Sequence, residues 1–259
     1  MNIGNINTEK IREEIINMST LVEKMLKECL TDESKFDDIV ILENQVNKFH
    51  TKIDDICFKF IALKRPMARD LRMALSAIKI NTDLERIADL AFNIKRAKMR
   101  IDSSGHNFLK QISTEVELML KNAIDAFSQS DIRLASEVIQ HDQIVNELNK
   151  HIIQIYTSCE NQVENQVEIQ IEKQGEKQGE NQYKKTNIDD KNNVLKERLN
   201  FGEAYHIVLI SNKLERIGDH TTNIAEDVIF LESGKDVRHQ QYSSLIAAAE
   251  DHNRSTTES

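Results

Sequence analysis

The chain has 259 residues, 30% of them charged, with a formal net charge of −9 and only 7 Gly and 1 Pro. Average proteins hold about 7% Gly and about 5% Pro, so this scarcity of breakers favours long amphipathic helices over strands. The acidic balance argues against nucleic acid as a partner, because such binding rests on Lys and Arg neutralising phosphates.

Apolar residues recur at helical spacing almost throughout. A first helix is expected from near Thr8, where Glu9, Glu13 and Glu14 suit the positive N-terminal end of its dipole. Its apolar stripe is Ile11, Ile15, Met18, Val22 and Met25. After a break near Thr31–Ser34, a second helix runs to about Leu63. Pro66 follows in a tight connection, a position from which proline opens a helix without losing a needed donor. A third helix is expected from about Met67 to Arg100, closed by a turn over 102–105.

The pattern then returns as helices from about Phe108 to Gln129, Asp131 to about Cys159, and Val194 to about Leu231, stopped by Gly234. LERIAD at 84–89 recurs as LERIGD at 214–219, an offset of 130, and Asn93 and Ile94 recur as Asn223 and Ile224. In the second helices, Val46-Asn47 recurs as Val145-Asn146, an offset of 99, so the second copy holds 31 extra residues between its second and third helices. They include six tetrapeptides from Glu160, ENQV-ENQV-EIQI-EKQG-EKQG-ENQY. Four residues overshoot the ~3.6-residue turn, so this repeat drifts around a helix and builds no fixed stripe. Val163, Val167 and Ile171 suit a prolonged helix, whereas Gly175 and Gly179 favour an open loop. The insert reads as a tolerated surface insertion.

The expected architecture is all-α, two tandem three-helix bundles made by internal duplication. Residues 6–103 form the first repeat and 106–239 the second, with the insert at about 160–193 and a flexible tail over 240–259. No segment approaches the ~18 apolar residues of a membrane span. The N-terminus has no apolar core of the secretory kind. Cys29, Cys57 and Cys159 show no CxxC spacing, which suggests reduced thiols and a cytoplasmic setting.

The chemistry lies in the duplicated motif. Glu85, Asp89 and Asn93 stand at i, i+4 and i+8 and form one oxygen-rich stripe; Glu215, Asp219 and Asn223 repeat it, and Glu226 extends it. Beside each runs an apolar stripe, Leu84, Ile87, Ala91 and Ile94 in one copy and Leu214, Ile217 and Ile224 in the other. Glu43 with Asn47, and Asp142 with Asn146, offer a second oxygen pair on the preceding helix of each copy. Clustered carboxylates repel unless a cation or proton neutralises them. Facing oxygen pairs suit hard ions such as iron(III), manganese or magnesium. The alternative is that these are solvated acids paired with Arg86 and Arg216.

Neither stripe contains the Glu-x-x-His of ferritin-like di-iron enzymes. No Walker-type loop, GxSxG or oriented Cys/His pair is present either, so the chain is not expected to be an enzyme.

The segments RPMARDLRMALSAIKINTDLERIADLAFNI (65–94) and LERIGDHTTNIAEDVIFLESGKDVRH (214–239) resemble the PhoU family of phosphate-uptake regulators. The resemblance covers residues 6–239, duplication included. It implies two three-helix bundles with multinuclear metal sites, iron being the expected metal and manganese or magnesium the alternatives. Residue by residue, it makes Glu85, Asp89, Glu215 and Asp219 metal ligands, with Glu43, Asn47, Asp142 and Asn146 as helix-two partners. Asn47 and Asn146 stand where the family has carboxylates, which removes negative charge. Ala88 stands where the family has Gly.

The resemblance further implies a cytoplasmic homodimer that acts by binding proteins, with no nucleic acid and no membrane span. Its partners would be the ATPase subunit of the phosphate-specific ABC transporter and the sensor histidine kinase of the phosphate regulon, both damped when phosphate is plentiful. The alternative is a metal-binding carboxylate bundle with iron storage or redox activity. The Arg-Asp-Leu-Arg segment at 69–72 reads either as a docking surface or as capping and ion pairing at a helix start, the second being expected.

Overall fold

The computed structural model describes residues 6–31, 34–101, 106–175 and 189–237. It contains α1 (Thr8–Leu30), α2 (Phe36–Lys64), α3 (Ala68–Lys98), α4 (His106–Gln129), α5 (Ile132–Gly175) and α6 (Asp189–Ser233). Among the described residues there is no strand. The 102–105 turn, residues 176–188 of the insert, His239 and the 240–259 tail lie outside the described residues.

Local chemistry sets the helix ends. The Asn7 side chain accepts a hydrogen bond from the Lys10 amide at 2.9 Å and caps α1. Asp131 Oδ1 accepts from the Arg133 and Leu134 amides at 2.9 and 3.0 Å and caps α5. Gly234, with φ of 72°, ends α6 in the left-handed conformation that glycine takes without a Cβ penalty. Lys95 Nζ donates to Thr31 O at 3.0 Å and Lys98 Nζ to Leu30 O, so two cations answer the negative C-terminal end of α1.

Three elements differ from expectation. Pro66 does not open α3: Arg65–Met67 is non-helical and the helix begins at Ala68. α5 runs past Cys159 to Gly175, taking the prolongation through Val163, Val167 and Ile171 that the sequence allowed, and α6 begins at Asp189 rather than Val194, so the helices reach well into the insert.

α1, α2 and α3 pack as one bundle and α4, α5 and α6 as another. The bundles join where α1 meets α4 and α3 meets α6, leaving α2 and α5 on the outer flanks. The α1 stripe Ile11, Ile15, Met18, Val22 and Met25 is fully buried. So are the stripes beside the acidic motifs, Leu84, Ile87, Ala91 and Ile94, and Leu214, Ile217 and Ile224. Each large aliphatic side chain so buried stabilises the fold by about 1.5–3 kcal/mol.

Cys29 and Cys57 are core residues whose thiols burial pushes up to about 12, so neither is a nucleophile near neutral pH.

Candidate metal centre

Because the apolar stripes of α3 and α6 turn inward, the acidic stripes lie at the core's edge, where α2 and α5 approach. Asp142 on α5 faces Gly218 on α6: a methyl at 218 would stand 3.2 Å from Asp142 Oδ1. That oxygen is buried without a hydrogen-bond partner among the described residues, while Asp142 Oδ2 accepts from Asn146 Nδ2 at 2.7 Å. Burial and the Asp219 carboxylate raise the Asp142 pKa, against the Asn146 bond. Partial burial, then Asp219 and Asp142, raise that of Glu215. Partial burial also raises that of Asp219, opposed by His220 and Arg216. The second copy thus brings Asp142, Asn146, Glu215 and Asp219 to one seam, with its negative charge under-compensated.

The first copy repeats the arrangement with a difference. Burial and the charge of Asp89 raise the Glu43 pKa, so α2 and α3 bring these acids together as α5 and α6 do their counterparts. Here Arg86 lies within ion-pair distance of the stripe, with Nε 3.6 Å from Glu85 and Nη1 3.6 Å from Asp89, whereas its counterpart Arg216 acts on Glu215 and Asp219 through its charge. Asn47 is exposed.

The offsets of 99 and 130 hold in space as well. Asn81 Nδ2 on α3 donates to His50 O and Asp54 Oδ1 on α2, both at 2.9 Å. The counterparts of Asn81 and His50, Ser211 and Asn149, are bonded at 2.6 Å, and Asn149 Nδ2 reaches Asn212 Oδ1 at 3.1 Å. These bonds pin each second helix to its third.

Several residues take other roles than the stripe pattern suggests. Asn93 Nδ2 turns back to Asp89 O at 2.8 Å. Asn223 Nδ2 reaches Asp83 Oδ1 on α3 at 3.2 Å, and His220 Nδ1 lies 2.7 Å from the same oxygen. This link between α3 and α6 had no sequence signal. Nor had Glu232, a nearly buried carboxylate that accepts from Arg69 at 2.6 Å and from Ser130 Oγ at 2.7 Å, with Arg12 at 3.9 Å. Arg72 Nε donates to Leu231 O at 3.1 Å. Arg69 and Arg72 therefore fasten the start of α3 to the end of α6, which gives the 69–72 segment a structural use.

The donors at the second seam are all oxygen, and one buried carboxylate oxygen there is unpartnered, so the residues fit a hard cation. Among the described residues no three His, Cys, Asp or Glu side chains are placed where they could hold a metal ion.

The PhoU domain model matches residues 15–97 and again 109–228, one match on each bundle. The chain belongs to the PhoU family. A Pseudomonas putida relative named "Phosphate-specific transport system accessory protein PhoU homolog" is 26% identical over 253 residues, 94% of this chain and 86% of its own. A Clostridium acetobutylicum protein of the same name is 27% identical, covering 88% of this chain and 94% of its own. The crystal structure of PhoU from Pseudomonas aeruginosa superposes with a TM-score of 0.69 at 26% identity, over 88% of this chain and 97% of that one. The Streptococcus pneumoniae phosphate transport system regulatory protein PhoU, at 18% identity and a TM-score of 0.68, shares the fold over 89% of this chain and 97% of its own. Both seams lie within the matched residues, and no helix among the described residues is long and apolar enough to cross a membrane.

Proposed function

We propose that this PhoU-family chain regulates phosphate uptake as a cytoplasmic adaptor, damping the phosphate-specific ABC transporter and the phosphate-starvation sensor kinase when phosphate is plentiful. The observation that carries the reading is the family match on both bundles, with relatives of nearly the same length named as accessory proteins of phosphate transport. The ATPase subunit of the transporter and the sensor histidine kinase are the partners, and the working form is a homodimer. Turnover of a substrate forms no part of this role.

The test is genetic and direct. Deleting the gene in its own host is expected to leave phosphate-starvation genes expressed in phosphate-rich medium, with complementation restoring repression. Unchanged expression in the deletion strain would overturn the reading.

Within this role Asp142, Glu215 and Asp219, assisted by Asn146, hold a hard cation, iron first and manganese or magnesium next. Glu43, Glu85 and Asp89 form the corresponding set in the first copy, with Asn47 at its edge. The ion supplies positive charge that neutralises the seam. The unpartnered Asp142 oxygen supports this assignment. Metal content of wild-type protein purified without chelator is expected to fall by one site's share in Glu215→Ala/Asp219→Ala with helicity retained, and likewise in Glu85→Ala/Asp89→Ala. A metal-free wild type that still represses leaves the seams as structural features only.

A further inference from the structure

The turn between α2 and α3 combines strained backbone, exposed apolar side chains and exposed cations. Arg65 ends α2 with φ of 49° and ψ of 55°, and Ala68 opens α3 with φ of 45°. Both are left-handed conformations that side chains disfavour and that glycine or asparagine usually fills at a helix end. Between them Met67 is 81% exposed, and Leu63 is 53% exposed in the last turn of α2, so neither serves the core.

Residues 59–69 contain Lys59, Lys64, Arg65 and Arg69 and no acid, in a chain whose net charge is −9. Lys59 pairs with Asp55 and Arg69 with Glu232, each at 2.6 Å. Lys64 and Arg65 are exposed and make no ion pair among the described residues. From behind, the Arg69–Glu232 pair and the Arg72–Leu231 bond hold the turn against the end of α6. Strain kept in place by surrounding structure is a property of binding corners more than of plain connections.

We propose that this corner, Leu63 and Met67 flanked by Lys64 and Arg65, docks an acidic amphipathic segment of a partner protein. The inference rests on the adaptor reading and names the surface and chemistry that reading leaves open. Met67 offers an adaptable apolar contact and Arg65 a planar cation for carboxylates. The corner is already held in shape, which reduces the ordering cost of binding. Charge decides among occupants. An anionic membrane would repel the chain's net negative charge. A second copy paired about a two-fold axis here would set Lys64 and Arg65 against their own kind. An acidic protein segment meets neither objection.

The test measures binding of the purified transporter ATPase subunit and of the kinase's cytoplasmic region to the full chain. The variants are Leu63→Ser/Met67→Ser, Lys64→Glu/Arg65→Glu and Arg65→Gly. All three are expected to bind at least one of these proteins tenfold or more weakly, with wild-type helicity and dimer mass. Arg65→Gly relieves the left-handed strain, so its melting temperature is expected to equal or exceed wild type while binding weakens. A merely structural corner would lose neither partner.

Wild-type affinity of all three variants for every partner that the wild type binds overturns the proposal and leaves the adaptor reading intact. A wild type that binds neither protein overturns the adaptor reading, and the docking role with it. Loss of dimer mass, or of binding to phosphatidylglycerol vesicles, with partner affinity unchanged, assigns the corner to a second copy or to the membrane and also overturns the proposal.

Discussion

Gly218 and Asp142 meet so closely across the second seam that the helix has no room for a methyl group unless the carboxylate yields: the added carbon would stand 3.2 Å from Asp142 Oδ1. Ala88 holds the equivalent place in the first repeat, where Glu43 reaches in from α2 in place of Asp142.

Gly218→Ala gains helix propensity of about 1 kcal/mol. The contacts to Val145 at 3.5 Å and Met119 at 3.9 Å are ordinary, and the unpartnered Asp142 oxygen can swing aside. The expected outcome is an equal or higher melting temperature by calorimetry in chelator, with manganese bound several-fold more weakly by titration calorimetry.

Asp142→Asn separates stability from ion binding. Asp142, Glu215 and Asp219 are all held above the ordinary carboxylate range, so the folded chain binds their protons more tightly than the unfolded chain. Stability from these groups is therefore greatest below the ordinary carboxylate pKa and declines as pH rises through the raised values. In metal-free protein the substitution should stabilise the fold near pH 7, and the gain should vanish below about pH 4, where both states are protonated. Urea midpoints across that range check it, and a loss of stability at pH 7 would contradict it.

Glu14 carries the opposite sign. Burial opposes its charge, yet hydrogen bonds from Lys52 at 2.6 Å and Lys10 at 2.9 Å outweigh that and hold its pKa below the ordinary range. Its contribution is present above the ordinary carboxylate pKa and lost as pH falls through the lowered value. Glu14→Gln should cost about 1–3 kcal/mol at neutral pH and less in acid. Chemical denaturation at both pH values would show the difference.

Glu232→Ala should loosen the join between bundles. It removes the acceptor shared by Arg69 and Ser130, with Arg12 nearby, at a side chain only 7% exposed. Arg12 keeps its bond to Phe127 O and its place 4.9 Å from the Phe127 ring, so the α1–α4 contact persists in part. The expected cost is about 1–3 kcal/mol in urea unfolding.

Periodicity and punctuation made most helices legible, because Asn7, Asp131 and Gly234 act locally at their ends. Pro66 misled: its fixed φ suits a first helical turn, but the corner around it departs from helix at Arg65 and at Met67. The acid positions at i and i+4 were readable because a helix brings such residues onto one face. The i+8 residues were less so, since eight residues at ~3.6 per turn overshoot two turns by about 80°. That rotation accompanies Asn93 turning to its own helix and Asn223 to Asp83. Asp83–His220 and Glu232 with its arginines depend on how one bundle meets the other, which is a property of tertiary packing with no local period.

The outer placement of α5 gives the molecule a growing point. α5 packs mainly against α4 and α6, and both α5 and α6 extend on the side where the insert lies. Each added turn lengthens a helix by about 5.4 Å along its axis. Such growth leaves the α1–α4 and α3–α6 contacts alone. Repetition of a four-residue unit can therefore accumulate at that end over evolutionary time, while the join between the bundles keeps its dimensions.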